Sequence, residues 1–234
     1  MKVIILAGGL GTRISEETAD KPKPMVLIAG KPMLWHIMSI FAKQGFNEFI
    51  VATGYKSEVI ESWIKTVKEP WDIKALNTGL NTQTGGRILE CMKSVPGERV
   101  FATYGDGLGN INLKALIDFH NHQGKLATVT AVRPPARFGV LESQNGLVVR
   151  FGEKNQVDAG WINGGFFVLE PQVASYIYNL DEPLESGALP MLVEERQLVS
   201  YHHDGFWQPM DTLREKEDLE RFALLNPPSW LARL

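Results

Sequence analysis

The first residues able to do chemistry lie in the segment Leu6-Ala7-Gly8-Gly9-Leu10-Gly11-Thr12-Arg13. Glycines let successive backbone N–H groups approach an anion closely, and in a turn those groups form a concave nest. Thr12 adds a hydroxyl donor. Arg13 adds a planar cation that can grip a phosphate through two parallel hydrogen bonds. A tight turn after a strand would account for the glycines alone, but the attached Thr12-Arg13 pair favours a phosphate site. Two other phosphate loops are excluded. Ile14 stands where the dinucleotide fingerprint needs its third glycine, and no Gly-Lys-Ser/Thr closes the segment as in a P-loop. Lys21-Pro22-Lys23-Pro24 follows. Prolines stiffen a chain and disfavour helix in the residue before them, so Lys23 is expected in an extended conformation, its ammonium beside the loop and able to neutralise an α-phosphate. Standing alone, the same stretch would be a solvated linker.

Such a loop needs a rigid element behind it. Residues 3–6 form a short β-branched apolar run bounded by glycines, which reads as a fully buried strand. Further strands are expected at 49–52, 100–104 and 127–132. Helices are expected at 33–41, ending near Gly45, at 58–66 with Val59, Trp63 and Val67 on one face, and at 88–93. Leu113, Leu116, Ile117 and His120 give another helical stripe. Strands alternating with helices predict an α/β fold, a Rossmann-like, mostly parallel sheet with helices on both faces. After about Pro134 the rhythm becomes β-rich. Strands are expected at 140–142, 147–151 and 165–169, with a hairpin turn at Asn145-Gly146, short helices at 173–178 and 189–195, and a longer helix at 212–224. No repeat or linker marks a boundary, so residues 1–234 read as one domain, with halves of about 1–133 and 134–234.

Composition narrows the function classes. The chain has 234 residues, 44% of them hydrophobic and 22% charged, which excludes wholesale disorder. The net charge of −3 argues against a nucleic-acid surface. Cys91 is the single cysteine, so neither a disulfide framework nor a Cys-rich zinc site is available; in a predicted helix it is expected to be inert. No apolar run approaches the roughly 20 residues needed to span a bilayer, and the run before Gly8 is too short for a secretory signal. A cytoplasmic protein without a membrane partner is therefore expected. His202 and His203 are adjacent and would point to opposite faces of a strand, which disfavours a zinc pair. Trp35, Trp63, Phe166 and Phe167 are expected in the core, while Trp207 could line a site or pack.

The set L-A-G-G-L-G-T-R, K-P-K-P-M and G-K-P-M-L-W-H-I-M resembles the sugar-phosphate nucleotidyltransferase family. Matches continue with T-G-G-R at 84–87, Y-G-D-G at 104–107, R-F-G at 137–139, F-x-E-K at 151–154, I-N-G-G-F-F-V-L at 162–169 and G-F-W-Q-P-M-D-T at 205–212, so the resemblance covers nearly the whole chain. The last of these, with Y-G-D-G and T-G-G-R, points to the family's cytidylyltransferase branch. The segment between Tyr55 and Thr78 is shorter than in that branch, and Asn77 and Asn110 stand where acidic residues are common.

The resemblance implies the reaction CTP + α-D-glucose 1-phosphate → CDP-glucose + pyrophosphate with Mg²⁺, a β-rich second half shaping the sugar pocket, and a homo-oligomer. It implies that Asp106 and Asp211 hold the metal, that Arg13 holds the departing pyrophosphate and that Lys23 stabilises charge at the α-phosphate. Leu6, Ala7, Gly8, Gly9, Gly11 and Thr12 would contact the nucleotide, with Gly86, Tyr104 and Gly105 near the base. Gly139, Glu153, Lys154 and Asn163 would take the sugar phosphate, and the role of Arg87 stays open between a helix salt bridge and a ligand contact. Taken singly, Asp106 could be a turn residue, Asp211 a helix N-cap and Glu153-Lys154 a solvated pair. A phosphate monoester is already nucleophilic at neutral pH, so positioning and charge neutralisation carry the chemistry and no dedicated base is required. Two alternatives stay open: a UTP- or dTTP-using sugar-1-phosphate nucleotidyltransferase, and a non-catalytic nucleotide-sugar-binding domain.

Overall fold

In chain order the elements of the computed structural model begin with β1 (Val3–Leu6), α1 (Ser15–Thr18), β2 (Leu27–Ile28), β3 (Lys31–Pro32), α2 (Met33–Ala42), β4 (Glu48–Thr53), α3 (Ser57–Ile64), β5 (Asp72–Asn77), α4 (Thr84–Lys93), β6 (Val100–Tyr104) and β7 (Gly107–Gly109). They continue with α5 (Leu113–Gln123), β8 (Ala127–Val132), β9 (Gly139–Gln144), β10 (Leu147–Glu153), β11 (Ile162–Asn163), β12 (Phe167–Leu169), α6 (Ala188–Glu194), β13 (Leu198–His203), β14 (Trp207–Pro209) and α7 (Leu213–Ala223). The structure describes residues 1–135, 139–144, 146–153 and 160–232.

Eight strands form the main sheet in the order β5-β4-β1-β6-β12-β8, with β11 and β13 also pairing with β8. The pairs β1–β4, β1–β6, β4–β5 and β8–β13 are parallel, whereas β12 runs antiparallel to both β6 and β8. β1 shows why the sheet must be covered on both faces. All four of its residues are buried; Val3 and Ile5 enter one core while Ile4 and Leu6 enter the other. Alternation along a strand sends successive side chains to opposite faces, so only a doubly covered strand reads as a continuous apolar run. On the first face, α2 supplies Met33, Leu34, Ile37 and Phe41, and α5 supplies Leu113 and Leu116. On the second, α4 brings Ile88, Cys91 and Met92, and α6 brings Leu189 and Leu192. Each such side chain contributes about 1.5–3 kcal/mol by leaving water.

Local chemistry sets several ends. The Asn112 side chain caps α5 by accepting from the Ala115 N–H at 3.0 Å, and Gly124, at φ +60°, ends the helix in the left-handed region. β9 and β10 form the expected hairpin, with Gly146 at φ +85°; Asn145 lies outside the described residues. The later strands do not form a separate layer, because β11, β12 and β13 join the main sheet through β8 and β6.

Four expectations need correction. Val59, Trp63 and Ile64 of α3 pack partly buried against the core, but its fully buried residue is Ile60, and Val67 lies beyond the end of the helix. α4 starts four residues before the expected 88, since Gly85 and Gly86 are needed for close packing rather than to break the helix. Lys23 is not extended: it opens a 3₁₀ turn over Lys23–Met25, in which Met25 N–H bonds Pro22 O and Val26 N–H bonds Lys23 O. Trp35 sits at the core's edge with its indole N–H donating to Glu69 at 2.6 Å, while Phe166 and Phe167 are fully buried.

His36, His120 and His203 are all buried, and burial holds each imidazole below its ordinary pKa. The folded protein keeps them neutral where the unfolded chain takes up protons, so stability is greatest above the unfolded value near 6.5 and falls as pH drops below it. The loss is at most about 1.4 kcal/mol per group for each pH unit. The urea midpoint is therefore expected to be lower at pH 5.5 than at pH 7.5; an equal or higher midpoint at pH 5.5 would contradict this account.

Candidate active site

The carboxyl ends of β1 and β6 open onto one cleft, which is where open α/β sheets place ligands. Its volume is about 540 Å³, ordinary for a small-molecule site, and its walls include Leu6 to Arg13, Lys23, residues 80–84, Arg87, Tyr104, Gly105, Asp106 and Asp211.

The glycine-rich loop is held from behind. Ala7 N–H bonds Ala52 O, and Tyr55 N–H bonds Gly8 O. Thr18 Oγ1 donates to Gly11 O and Ile14 O at 3.1 Å each, and the Ile14 side chain is fully buried. Gly11 has φ +66°, a conformation that an L side chain strains to adopt. Gly8 cannot carry a Cβ because the atom would overlap the Arg87 guanidinium, whereas a Cβ on Gly9 would meet open space. Thr12 and Arg13 begin a 3₁₀ turn on the exposed side of the loop.

Arg87 is the residue whose role sequence reasoning missed. It lies in α4 and is 4% exposed, and among the described residues it forms no salt bridge along the helix. Its Nη1 donates to Thr53 O at 2.9 Å, Thr78 Oγ1 at 2.6 Å and Gly79 O at 2.9 Å. Its Nη2 donates to Gly8 O at 3.0 Å and Leu80 O at 3.3 Å. One guanidinium thus ties the glycine loop to the opposite wall at 79–80, and burial lowers its pKa.

The charged cluster lies at the head of the cleft. Lys23 Nζ donates to Asp106 Oδ2 and to Asp211 Oδ1, each at 2.7 Å, and Arg13 Nη1 donates to Asp211 Oδ2 at 2.9 Å. Burial alone would lower the Lys23 pKa, but Asp106 and then Asp211 outweigh it, so the net shift is upward and the ammonium stays charged. A small antiparallel ribbon brings the two carboxylates together. β7 pairs with β14 in the register Gly107↔Pro209, and Met210 N–H bonds Asp106 O at 2.8 Å. Asp106 and Asp211 therefore flank the same end of the ribbon. Asp211 is not the N-cap of α7. Thr212 is, in a capping box with Glu215, whose Oε2 also accepts from the Asp211 N–H at 2.7 Å.

Tyr104 ends β6 on the cleft wall. Its hydroxyl donates to Glu185 Oε1 at 2.5 Å and accepts from Asn163 Nδ2 at 2.8 Å. Burial and then the charge of Glu185 push the phenol well above its ordinary pKa, so it remains a donor. Gly105 is required by packing, since a Cβ there would stand 2.5 Å from Leu6 O. Gly86 does not line the cleft: it faces the backbone of Leu180, which leaves no room for a side chain. Gly139 and Glu153 are register partners at one end of the β9–β10 hairpin, and Lys154 and Arg137 lie outside the described residues. Trp207 packs over Gly107, and its indole donates to Gly164 O at 3.0 Å. His202 and His203 are consecutive in β13, and among the described residues no group of three or more His, Cys, Asp or Glu side chains could hold a metal. Cys91 is buried, and burial pushes its thiol up to about 12. Among the described residues no helix is long and apolar enough to cross a membrane.

A cleft that offers backbone N–H groups, two cations and two convergent carboxylates is suited to a polyphosphate with a divalent ion. The model of a family described as nucleotidyl transferase matches residues 2–213. The chain belongs to that family. As a nucleotidyltransferase it is 45% identical to a glucose-1-phosphate cytidylyltransferase of Salmonella typhi, with 94% of this chain and 95% of the relative covered. It is 42% identical to a Bacillus subtilis (strain 168) protein named a probable glucose-1-phosphate cytidylyltransferase, with 98% and 99% covered. The solved structure of HddC from Yersinia pseudotuberculosis with GMP-PN shares the nucleotidyltransferase fold at a TM-score of 0.74 and 24% identity, covering 94% of this chain and 98% of that one.

Replacing Arg87 by Lys keeps the charge but removes the fork that reaches both walls. Buried carbonyls left without partners cost about 1–3 kcal/mol each, with water recovering part. Arg87→Lys is expected to lower stability in urea by about 2 kcal/mol. A variant within 0.5 kcal/mol of the parent, on the order of a neutral surface change, would show that Arg87 does not clamp the loop.

Proposed function

We propose that the protein makes CDP-glucose and pyrophosphate from CTP and α-D-glucose 1-phosphate. What carries this reading is the Lys23–Asp106–Asp211–Arg13 cluster at the head of the cleft, in a chain so similar, nearly end to end, to glucose-1-phosphate cytidylyltransferases.

An oxygen of the sugar phosphate forms a bond to the α-phosphorus of CTP as the bond from that phosphorus to the leaving pyrophosphate breaks. Two anions must meet, so charge neutralisation dominates. The N–H groups of Gly8, Gly9 and Gly11 and the Thr12 hydroxyl take phosphate oxygens, with Leu6 and Ala7 behind them and the backbone around Gly105 and Tyr104 nearer the base. Arg13, mostly exposed at the loop tip, meets the pyrophosphate, and Lys23 meets the α-phosphate. Asn163 and Glu153 bond sugar hydroxyls, Lys154 grips the sugar phosphate, and Gly139 allows the ring close to the backbone. The half at about 1–133 thus serves mainly the nucleotide and the half at about 134–234 the sugar, with Asp211 reaching back to the metal pair.

Asp106 and Asp211 would hold Mg²⁺. The fit rests on the ammonium of Lys23, a cation already shared by both carboxylates at 2.7 Å, and on a donor set of oxygens alone. When bound, the ion neutralises phosphate charge and polarises the α-phosphorus.

Pyrophosphate release is measured with CTP, UTP, dTTP, ATP and GTP, each with glucose 1-phosphate and Mg²⁺. Preference for CTP is expected; preference for another nucleotide would move the protein to a different branch, and no release with any sugar 1-phosphate would defeat the enzymatic reading. Lys23→Ala is expected to lower kcat roughly 10²-fold or more, and Asp106→Ala to abolish turnover while the fold is retained. Turnover of Asp106→Ala within about tenfold of the parent would remove that residue from the metal site.

A further inference from the structure

Glu185 lies outside the cleft lining, in the segment between Tyr178 and Ala188, yet it holds two residues that do line it. Its Oε1 accepts from the Tyr104 hydroxyl at 2.5 Å, and its Oε2 accepts from Thr84 Oγ1 at 2.6 Å. The segment is fastened beside these bonds. Leu184 N–H donates to Thr84 Oγ1 at 2.8 Å, and Gln83 N–H donates to Leu180 O at 3.0 Å. Gly85 and Gly86 let it approach α4 so closely that any side chain at either position would strike its backbone.

The bond to Tyr104 has a consequence for polarity. A phenol carries one proton, and here that proton points at Glu185. The phenol oxygen is left only as an acceptor, so the group facing it from Asn163 must be a donor, and Nδ2 stands there at 2.8 Å. At the other end of the same amide, Oδ1 accepts from Gly165 N–H at 2.9 Å. Turning the amide over would set its oxygen against a lone pair of Tyr104 and its NH₂ against the Gly165 N–H. Both contacts would be repulsive while Glu185 keeps the phenol proton. Without that carboxylate the proton is free to swing toward Asn163, and only the Gly165 N–H still opposes the turned amide.

We propose that Glu185 is a positioning residue for the sugar phosphate: by fixing the Tyr104 proton it acts together with the Gly165 N–H to hold the orientation of the Asn163 amide, so that Asn163 presents its remaining N–H to the sugar. The sugar hydroxyl at that point is accordingly an acceptor. The inference rests on the reading above that Asn163 meets the sugar.

The test is steady-state kinetics of the full chain with CTP and glucose 1-phosphate, each varied in turn, with thermal melting to monitor folding. Losing the oriented donor is expected to raise KM for the sugar phosphate up to about tenfold in Glu185→Ala while kcat changes less than about threefold, since a hydrogen bond between neutral groups is worth up to about a decade in affinity. Glu185→Gln retains an acceptor for the Tyr104 proton and is expected to stay within about threefold of the parent. In a Tyr104→Phe background, where no proton remains to direct, Glu185→Ala is expected to add little further increase. Equal rises in KM for both substrates with Gln no better than Ala, a rise confined to the nucleotide, or additive effects with Tyr104→Phe would each overturn the proposal. Should the parent itself turn over no sugar 1-phosphate, the functional reading fails and takes this inference with it; parental turnover with an unchanged KM in Glu185→Ala sinks the inference alone.

Discussion

Two carboxylates that approach the same point repel each other, and the ammonium of Lys23 is what makes the arrangement of Asp106 and Asp211 tolerable. Much of the surrounding structure can be understood as what is needed to bring these three groups together. Asp106 and Asp211 are 105 residues apart in sequence and become neighbours only through the pairing of β7 with β14. A one-residue slip of that ribbon would send the flanking side chains to opposite faces. Glu215 fixes the Asp211 backbone from the first turn of α7, and the Pro22–Pro24 turn delivers Lys23 from a third direction.

The glycines of the cleft divide into two kinds. Gly8 and Gly105 are glycines because other parts of the protein occupy the space a Cβ would need, the Arg87 guanidinium in one case and the Leu6 carbonyl in the other. Gly9 meets nothing, so its lack of a side chain leaves room on the cleft side. Loop shape is thus set largely by packing behind it. The ligand-facing surface comes ready-made, which limits the reorganisation needed when an anion binds.

How far the sequence could be read depended on whether the signal was local. Buried runs such as Val3–Leu6 and Val100–Tyr104 announce parallel strands because both faces are covered. The helix expected at 212–224 is present as α7, but its N-cap is Thr212 and not Asp211. β5 has no counterpart in the sequence pattern and β13 only the strand at His202-His203, and their burial explains why: as outer strands of the sheet they mix exposed and half-covered residues without a buried run. At the site, the loop, Lys23 and Asp106 carry recognisable local chemistry. Arg87 and Glu185 do not, since what each does is defined by partners that only the fold supplies: Gly8 and Gly79 for one, Tyr104 and Thr84 for the other. Lys23 stands at the head of the cleft but not in the extended form its prolines suggest, because the proline rule describes a chain without the two carboxylates that hold it.

The chain carries three more acidic than basic residues, yet it receives anions. Among the described residues no carboxylate pairs with Arg87, whose fork is spent on hydroxyl and carbonyl oxygens. Its unit charge is therefore satisfied in hydrogen bonds without being cancelled. Lying under Gly8 and shielded from salt by the protein around it, it sets up a positive potential at the cleft floor that mobile ions screen poorly. An incoming phosphate would feel that potential before touching any side chain, and would go on feeling it after Arg13 and Lys23 had been engaged. The same guanidinium that holds the walls apart at a fixed width thus also biases which ions come to rest between them.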